Sequence, residues 1–361
     1  MSQLIAGLPE HHDRDRFDVI AFSLGTQIKD AMARRLNKGF GRVVETGALP
    51  DQDIAALARR HKIDIAIDLN GFTAGNRTGV FALRAAPLQV SYLGYPGTMG
   101  APYFDYLIAD STVIPTDQRQ YYAEKIAYLP DSYQPRDATH IIAGRNFAKE
   151  ECGLPESGFI FCSFNNSYKF TPKIFDIWMR LLDRIDGSVL WLPSGNDAAM
   201  RNLRSEAEAR GVSSRRLVFA PRLPDLSEHL ARLRLADLFL DTIPFNAHTS
   251  ASDALWAGLP VLSCEGETFP GRVGASLLRA VGLPELVTAS LDEYETQALE
   301  LARNPQALLA LRQRLAARRS TAPLFDTALY TKHLEAAFTA MWQRHLAGWT
   351  LEHIHVARHP S

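Results

Sequence analysis

Cysteine is scarce in this chain. The three residues of 361, Cys152, Cys162 and Cys264, form no CxxC pair, which excludes a disulfide framework and a thiolate zinc site; reduced, buried thiols are expected. An excess charge of either sign is also lacking. With 39 basic and 40 acidic residues and a formal charge of -1, there is no basic footprint for nucleic acid and no acidic tail. No apolar run approaches the roughly 18–20 residues of a membrane span, and no charged-then-apolar leader follows Met1. A cytoplasmic protein is expected, with neither membrane nor nucleic acid as partner. His11-His12-Asp13, and His353-x-His355 with His359, lack the spacing and partner set of a metal site, so none is expected. Nothing recurs at about 34 residues, so tetratricopeptide repeats are absent from the chain.

What the chain does have is length for two domains and a regular alternation. Apolar, β-branched runs at Phe17–Ser23, Ile63–Leu69, Gln89–Leu93, Tyr106–Ala109, Phe159–Ser163, Ser188–Leu192, Arg216–Phe219, Leu238–Asp241 and Pro260–Cys264 alternate with segments of helical period. Such a pattern predicts α/β domains with parallel sheets covered on both faces. Helices are expected at Gln3–Leu8, Pro50–Arg60, Ile174–Ile185, Asp225–Leu235 and Ser250–Ala257. Leu129–Ala148, broken by Pro130 and Pro135, reads as a connection. The expected division is 1–135, a Rossmann-like unit that opens on a helix and so looks truncated at its amino end; 136–323, a complete one; and 324–361. Tyr330, Leu334, Ala337, Phe338, Met341 and Trp342 define one amphipathic helix in that last segment, expected to pack back towards the first unit, before a tail without pattern.

Several loops follow these strands with chemistry to offer. After the strand ending at Asp241, a loop leads into Thr249, Ser250 and the capping-box spacing Ser250-x-x-Asp253. Main-chain N–H groups and hydroxyls there suit a pyrophosphate, with His248 as a further donor and Asp253 facing a ribose hydroxyl; Ser250 and Asp253 would equally serve as helix caps. Cys162–Lys169 (CSFNNSYK) offers Asn165, Asn166 and Lys169, the last a mobile cation for a leaving diphosphate. Pro221, Arg222, His229 and Arg232 straddle a strand–helix junction where a uridine end could be met. Asp68–Arg77 (DLNGFTAGNR) and Leu93–Gly100 (LGYPGTMG) are glycine-containing turns that let the backbone approach a ligand. Asp64, Asp68 and Asp105 are candidate bases or loop caps.

In this order, with FDYLIAD, LADLFLDTIPFNAHTSASDALWAGLPV, GETFPGRVGASLL and FDTALYTKHLEAAFTAMW, the motifs resemble the catalytic region of O-linked N-acetylglucosamine transferases. That is glycosyltransferase family 41, here of its bacterial SPINDLY-like branch. The resemblance implies a glycosyltransferase-B fold of two Rossmann-like, doubly wound domains. It implies metal-independent, inverting transfer from UDP-N-acetylglucosamine to protein Ser or Thr, with no cofactor beyond the UDP-sugar. By the same likeness, Lys169 stabilises the leaving diphosphate, His248, Thr249 and Ser250 hold the phosphates, and Asp253 takes the ribose. Asn166 stands for a nucleotide-contacting glutamine, His229 and Arg232 lie beside the uracil loop, and Leu93, Gly94 and Pro96 line the sugar pocket. Animal relatives carry a histidine where Asp64 stands. A histidine-bearing loop that normally precedes the first helix would lie before Met1. Slow transfer is therefore expected, with Asp64 or Asp68 as substitute base. Relatives using glucose or fucose, or a non-catalytic UDP-binding remnant, remain alternatives.

Overall fold

Short runs such as Ile160-Phe161-Cys162 and Val189-Leu190-Trp191-Leu192 lose water from both faces at once, and that is what places them inside a parallel sheet. The computed structural model describes residues 1–25 and 30–358; His359 lies outside them. The described strands are β1 (Ile20–Ser23), β2 (Arg42–Glu45), β3 (Ile65–Asp68), β4 (Leu88–Ser91), β5 (Tyr106–Asp110), β6 (Lys125–Leu129), β7 (Ile160–Cys162), β8 (Val189–Pro193), β9 (Leu217–Ala220), β10 (Leu238–Leu240), β11 (Val261–Cys264), β12 (Val287–Thr288) and β13 (Ile354–His355). The chain divides into two units, Met1–Thr139 with Pro323–Ser361, and His140–Ala322.

In the second unit six parallel strands run in the order β12-β11-β10-β7-β8-β9. The first strand of the unit, β7, is central. The chain adds β8 and β9 on one side, then returns to lay β10, β11 and β12 on the other. The order therefore reverses between β7 and β10, and the loops leaving their carboxyl ends diverge around a crevice, the usual place for a ligand in a doubly wound sheet. The helix Leu226–Leu233 lies in the β9–β10 connection that makes this reversal, while Pro172–Arg184 and Thr249–Ala257 join β7 to β8 and β10 to β11.

The first unit holds a parallel pair, β1-β2, and a five-stranded parallel sheet in the order β13-β6-β5-β4-β3. Strand β13 corrects the expectation of a patternless tail: Ile354 and His355 pair with Ala127 and Tyr128 of β6. The helix Thr327–Leu346 also belongs to this unit. Asp326 caps it through Leu329 N–H at 2.8 Å. Its buried stripe is Tyr330, Leu334, Ala337, Phe338 and Met341, whereas Trp342 is only half-buried. Glu335, on the same helix, meets His12 at 3.0 Å and accepts from Asp13 N–H at 2.7 Å. The single opening helix expected at Gln3–Leu8 is two short ones, Ser2–Ile5 and Leu8–His11. Pro9 has no N–H to continue the first, but fits near the start of the second.

Candidate functional site

The loop after β10 is organised around one buried carboxylate. Asp241 Oδ1 accepts from Thr242 N–H at 2.7 Å and Ala247 N–H at 2.5 Å, while Oδ2 accepts from Ser263 Oγ at 2.6 Å on neighbouring β11. Asn246 adds a second tie, donating to Thr242 O at 2.7 Å and accepting from Gly274 N–H at 3.1 Å. Burial pushes the Asp241 carboxyl up to about 6, against the pull of its donors and of Lys169.

Lys169 comes from the other side of the reversal, at the end of the loop after β7. Its ammonium donates to Asn246 O at 2.8 Å and stands 4.2 Å from the centroid of the Phe245 ring. Burial pulls its pKa down to about 8, with Asp241 acting in the opposite sense. Lys169 is charged at neutral pH, and two of its three N–H bonds are left for an anion. His248 stacks on Phe245 at 4.8 Å, with its Nε2 3.3 Å from Pro270 O. Burial first, and the Lys169 charge second, push His248 down to about 3, so it is a neutral imidazole.

The helix Thr249–Ala257 begins at that histidine. The expected capping box is not formed: the residue before the first turn is His248, no side chain caps the helix, and Ser250 lies inside the first turn. Intrahelical bonding starts with Ser252 N–H to His248 O. The N–H groups of Thr249, Ser250 and Ala251 thus form an uncapped, electropositive helix end beside Lys169's loop. Buried Asp253 on this helix acts electrostatically on His229.

His229 and Arg232 lie on the helix Leu226–Leu233. Arg232 is directed inward: it is 5% exposed and donates to Pro221 O at 2.6 Å and His229 Nδ1 at 3.1 Å. It holds the loop after β9 in place. Because His229 Nδ1 accepts, its Nε2 carries the proton in the neutral ring, and burial followed by the Arg232 charge lowers its pKa to about 4. Arg222 and Asn166 are exposed on the loops after β9 and β7.

In the first unit, Asp68 ends β3 and is 5% exposed. Its Oδ1 accepts from Asn70 and Gly71 N–H at 2.9 and 3.1 Å, while Oδ2 is buried without a hydrogen-bond partner. The turn after β4 presses on this loop. A Cβ on Gly94 would stand 2.1 Å from Leu69 O, so only glycine fits, and Leu93 takes a φ of 71°, a strained conformation for a branched side chain. Pro96 is half-buried in the same turn. Asp64 is exposed and precedes β3, at the opposite end of the strand from Asp68. Asp105 is taken up by Arg84 at 2.7 Å and Gln89 N–H at 2.7 Å.

Sequence reasoning passed over Asp241, Phe245, Asn246 and Ser263. Asp241 was visible only as a strand end; its partners at 242, 247 and 263 are supplied by the fold. Among the described residues no group of three or more His, Cys, Asp or Glu is gathered to hold a metal ion, and no helix is long and apolar enough to cross a membrane.

The chain is 36% identical over 362 residues to the probable UDP-N-acetylglucosamine–peptide N-acetylglucosaminyltransferase SEC of Arabidopsis thaliana, covering 99% of this chain and 37% of that protein. It is 34% identical over 352 residues to the rice protein of the same description named SPINDLY, covering 94% and 37%. It therefore spans a little over a third of the length of these relatives. Among solved structures, a mutant O-GlcNAc transferase of Thermobaculum terrenum superposes with a TM-score of 0.88 at 30% identity, over 96% of this chain and 65% of that one. HepE of Anabaena, solved with UDP and glucose, superposes at 0.62 with 12% identity, over 94% and 95%, which is a likeness of fold. The fold is thus α/β, of the glycosyltransferase-B type. The description "Glycosyl transferase family 41" matches residues 1–150 and 139–334, and the chain belongs to that family.

Proposed function

We propose that the second unit binds UDP-N-acetylglucosamine and that the protein transfers its sugar to Ser or Thr hydroxyls of proteins, with inversion and without a metal ion. The observation that carries this reading is the pairing of a charged, half-buried Lys169 with an uncapped helix start at Thr249, on the two loops that flank the β7/β10 reversal. The descriptions of the Arabidopsis and rice relatives as peptide N-acetylglucosaminyltransferases using UDP-N-acetylglucosamine support the choice of donor and acceptor. In the reaction the acceptor oxygen attacks the anomeric carbon opposite the phosphate, the bond to the β-phosphate oxygen breaks, and the departing charge is taken up by Lys169 and the helix N–H groups. His248 is neutral, so it contributes a hydrogen bond rather than a charge. Neutral His229, with its Nε2–H, is assigned to the base end of the nucleotide, next to exposed Arg222; Asn166 and Asp253 are assigned to the nucleoside. For the acceptor proton, Asp68 is the candidate base, because its Oδ2 has no internal partner. Leu93, Gly94 and Pro96 are assigned to the sugar. A cytoplasmic setting belongs to the same proposal and is supported by three free thiols.

The test is a transfer assay with labelled UDP-N-acetylglucosamine and a Ser/Thr-rich acceptor in EDTA, run beside UDP-glucose and GDP-fucose. Labelled acceptor and UDP should appear in equal amounts. A strict need for magnesium or manganese, or preference for another donor, contradicts the corresponding part of the reading.

A further inference from the structure

Asp241 and Lys169 reach the same loop from the carboxyl ends of two neighbouring strands, β10 and β7. Asp241 grips the loop at Thr242 and Ala247, and Lys169 at the carbonyl of Asn246, one residue from that grip. Gly274 closes in on the carboxylate, since a Cβ there would come within 2.5 Å of Oδ2, while Tyr294 Oη donates at 3.0 Å to the main-chain carbonyl of Asp241 and steadies the strand end that carries it. We propose that Asp241 is a positioning residue that acts through its charge: it keeps Lys169 cationic at the point where Lys169 meets the phosphates of the donor. This rests on the reading of Lys169 as a phosphate contact.

The surrounding titratable groups leave this pair to itself. His248 is held neutral by burial, and burial raises Tyr294 and Cys264 so that both stay protonated. Among the described residues, the negative charge that acts on half-buried Lys169 is that of Asp241. Without it, an ammonium already drawn down to about 8 falls further and loses its proton in the neutral-to-alkaline range. The expected consequence is a pH-dependent defect. A purely structural loss would weaken binding equally at every pH.

UDP is titrated by calorimetry into the wild-type chain and Asp241→Asn, at pH 6.5 and 8.5. Taking the ratio of the two proteins cancels the titration of the nucleotide itself. If removing the charge lowers the lysine by about one pKa unit, the variant binds about eightfold more weakly at pH 8.5 and less than twofold at pH 6.5. In a Lys169→Arg background, where the cation is permanent, the ratio becomes the same at both pH values. Equal weakening of the single variant at both pH values, or none at either, overturns the proposal. Failure of the wild-type chain to bind UDP overturns instead the reading on which it rests. Ser263→Ala leaves the carboxylate charged across the pH range in which Lys169 titrates, so it serves as the control and should leave the ratio of affinities at pH 8.5 and 6.5 as in wild type. Should Asp241→Asn not fold, the charge is removed instead by Asp241→Ser, which keeps a hydroxyl acceptor for the loop N–H groups, and a ratio unchanged in that variant refutes the proposal.

Discussion

Replacing Lys169 with alanine removes one half-buried ammonium from the crevice. At pH 7, with its pKa drawn to about 8, roughly nine in ten Lys169 side chains carry the proton. Their contact with a diphosphate is then charge-assisted, worth about 1.5–3 kcal/mol. That corresponds to a rise in the UDP dissociation constant of about 10–150-fold. Losing the lysine also strips Asn246 O of its donor, so stability must be followed separately by urea unfolding. Lys169→Met, which keeps an apolar stem against Phe245, should bind UDP as poorly as the alanine variant while unfolding closer to wild type. The pH dependence has a definite sign: wild-type affinity falls as pH rises through about 8, because the proton leaves, and this limb is missing from both variants. Calorimetry at pH 7 is the assay. A folded Lys169→Ala protein that binds UDP within twofold of wild type would refute the assignment.

Three further variants probe other parts of the account. Gly94→Ala drives a methyl group into Leu69 O and should cost about 1–3 kcal/mol in urea unfolding; an unchanged midpoint would mean that the turn yields freely. Met341→Ala, at a fully buried position of the helix Thr327–Leu346, should destabilise by about 2–5 kcal/mol, and a loss below 1 kcal/mol would place that helix outside the core of its unit. Asp68→Asn should lower the transfer rate by about 10²–10⁴-fold with UDP affinity unaltered; unaltered turnover would remove Asp68 as the base.

The parts of the fold legible in the sequence are those whose burial is written locally. All nine β-branched runs become strands, trimmed by a residue or more at most ends, because each is apolar enough to lie inside a sheet by itself. Strands β12 and β13 have two residues each, too few to show any period, and exist through their partners at Ser263–Cys264 and Ala127–Tyr128. β2 is half-exposed, and β6 leads straight into a Pro-broken connection. The site divides in the same way. Lys169 and Thr249 could be found because each lies in the connection that leaves the carboxyl end of a strand visible in the sequence. Arg232 looked like a surface cation on a helix until the fold turned it inward onto Pro221 and His229. Ser250 and Asp253 have capping-box spacing, yet the helix starts with His248 as its flanking residue, so the hydroxyl sits in the first turn rather than before it. Asp241 gave no local sign, since its three side-chain contacts span from residue 242 to residue 263.

The most direct measurement is the structure of this chain with UDP bound. The account predicts that the diphosphate oxygens lie within hydrogen-bond reach of Lys169 Nζ and of the N–H groups of Thr249 and Ser250, with the uracil towards His229. A diphosphate bound away from the β7/β10 reversal, or held with Lys169 Nζ still turned only to Asn246 O, would contradict it.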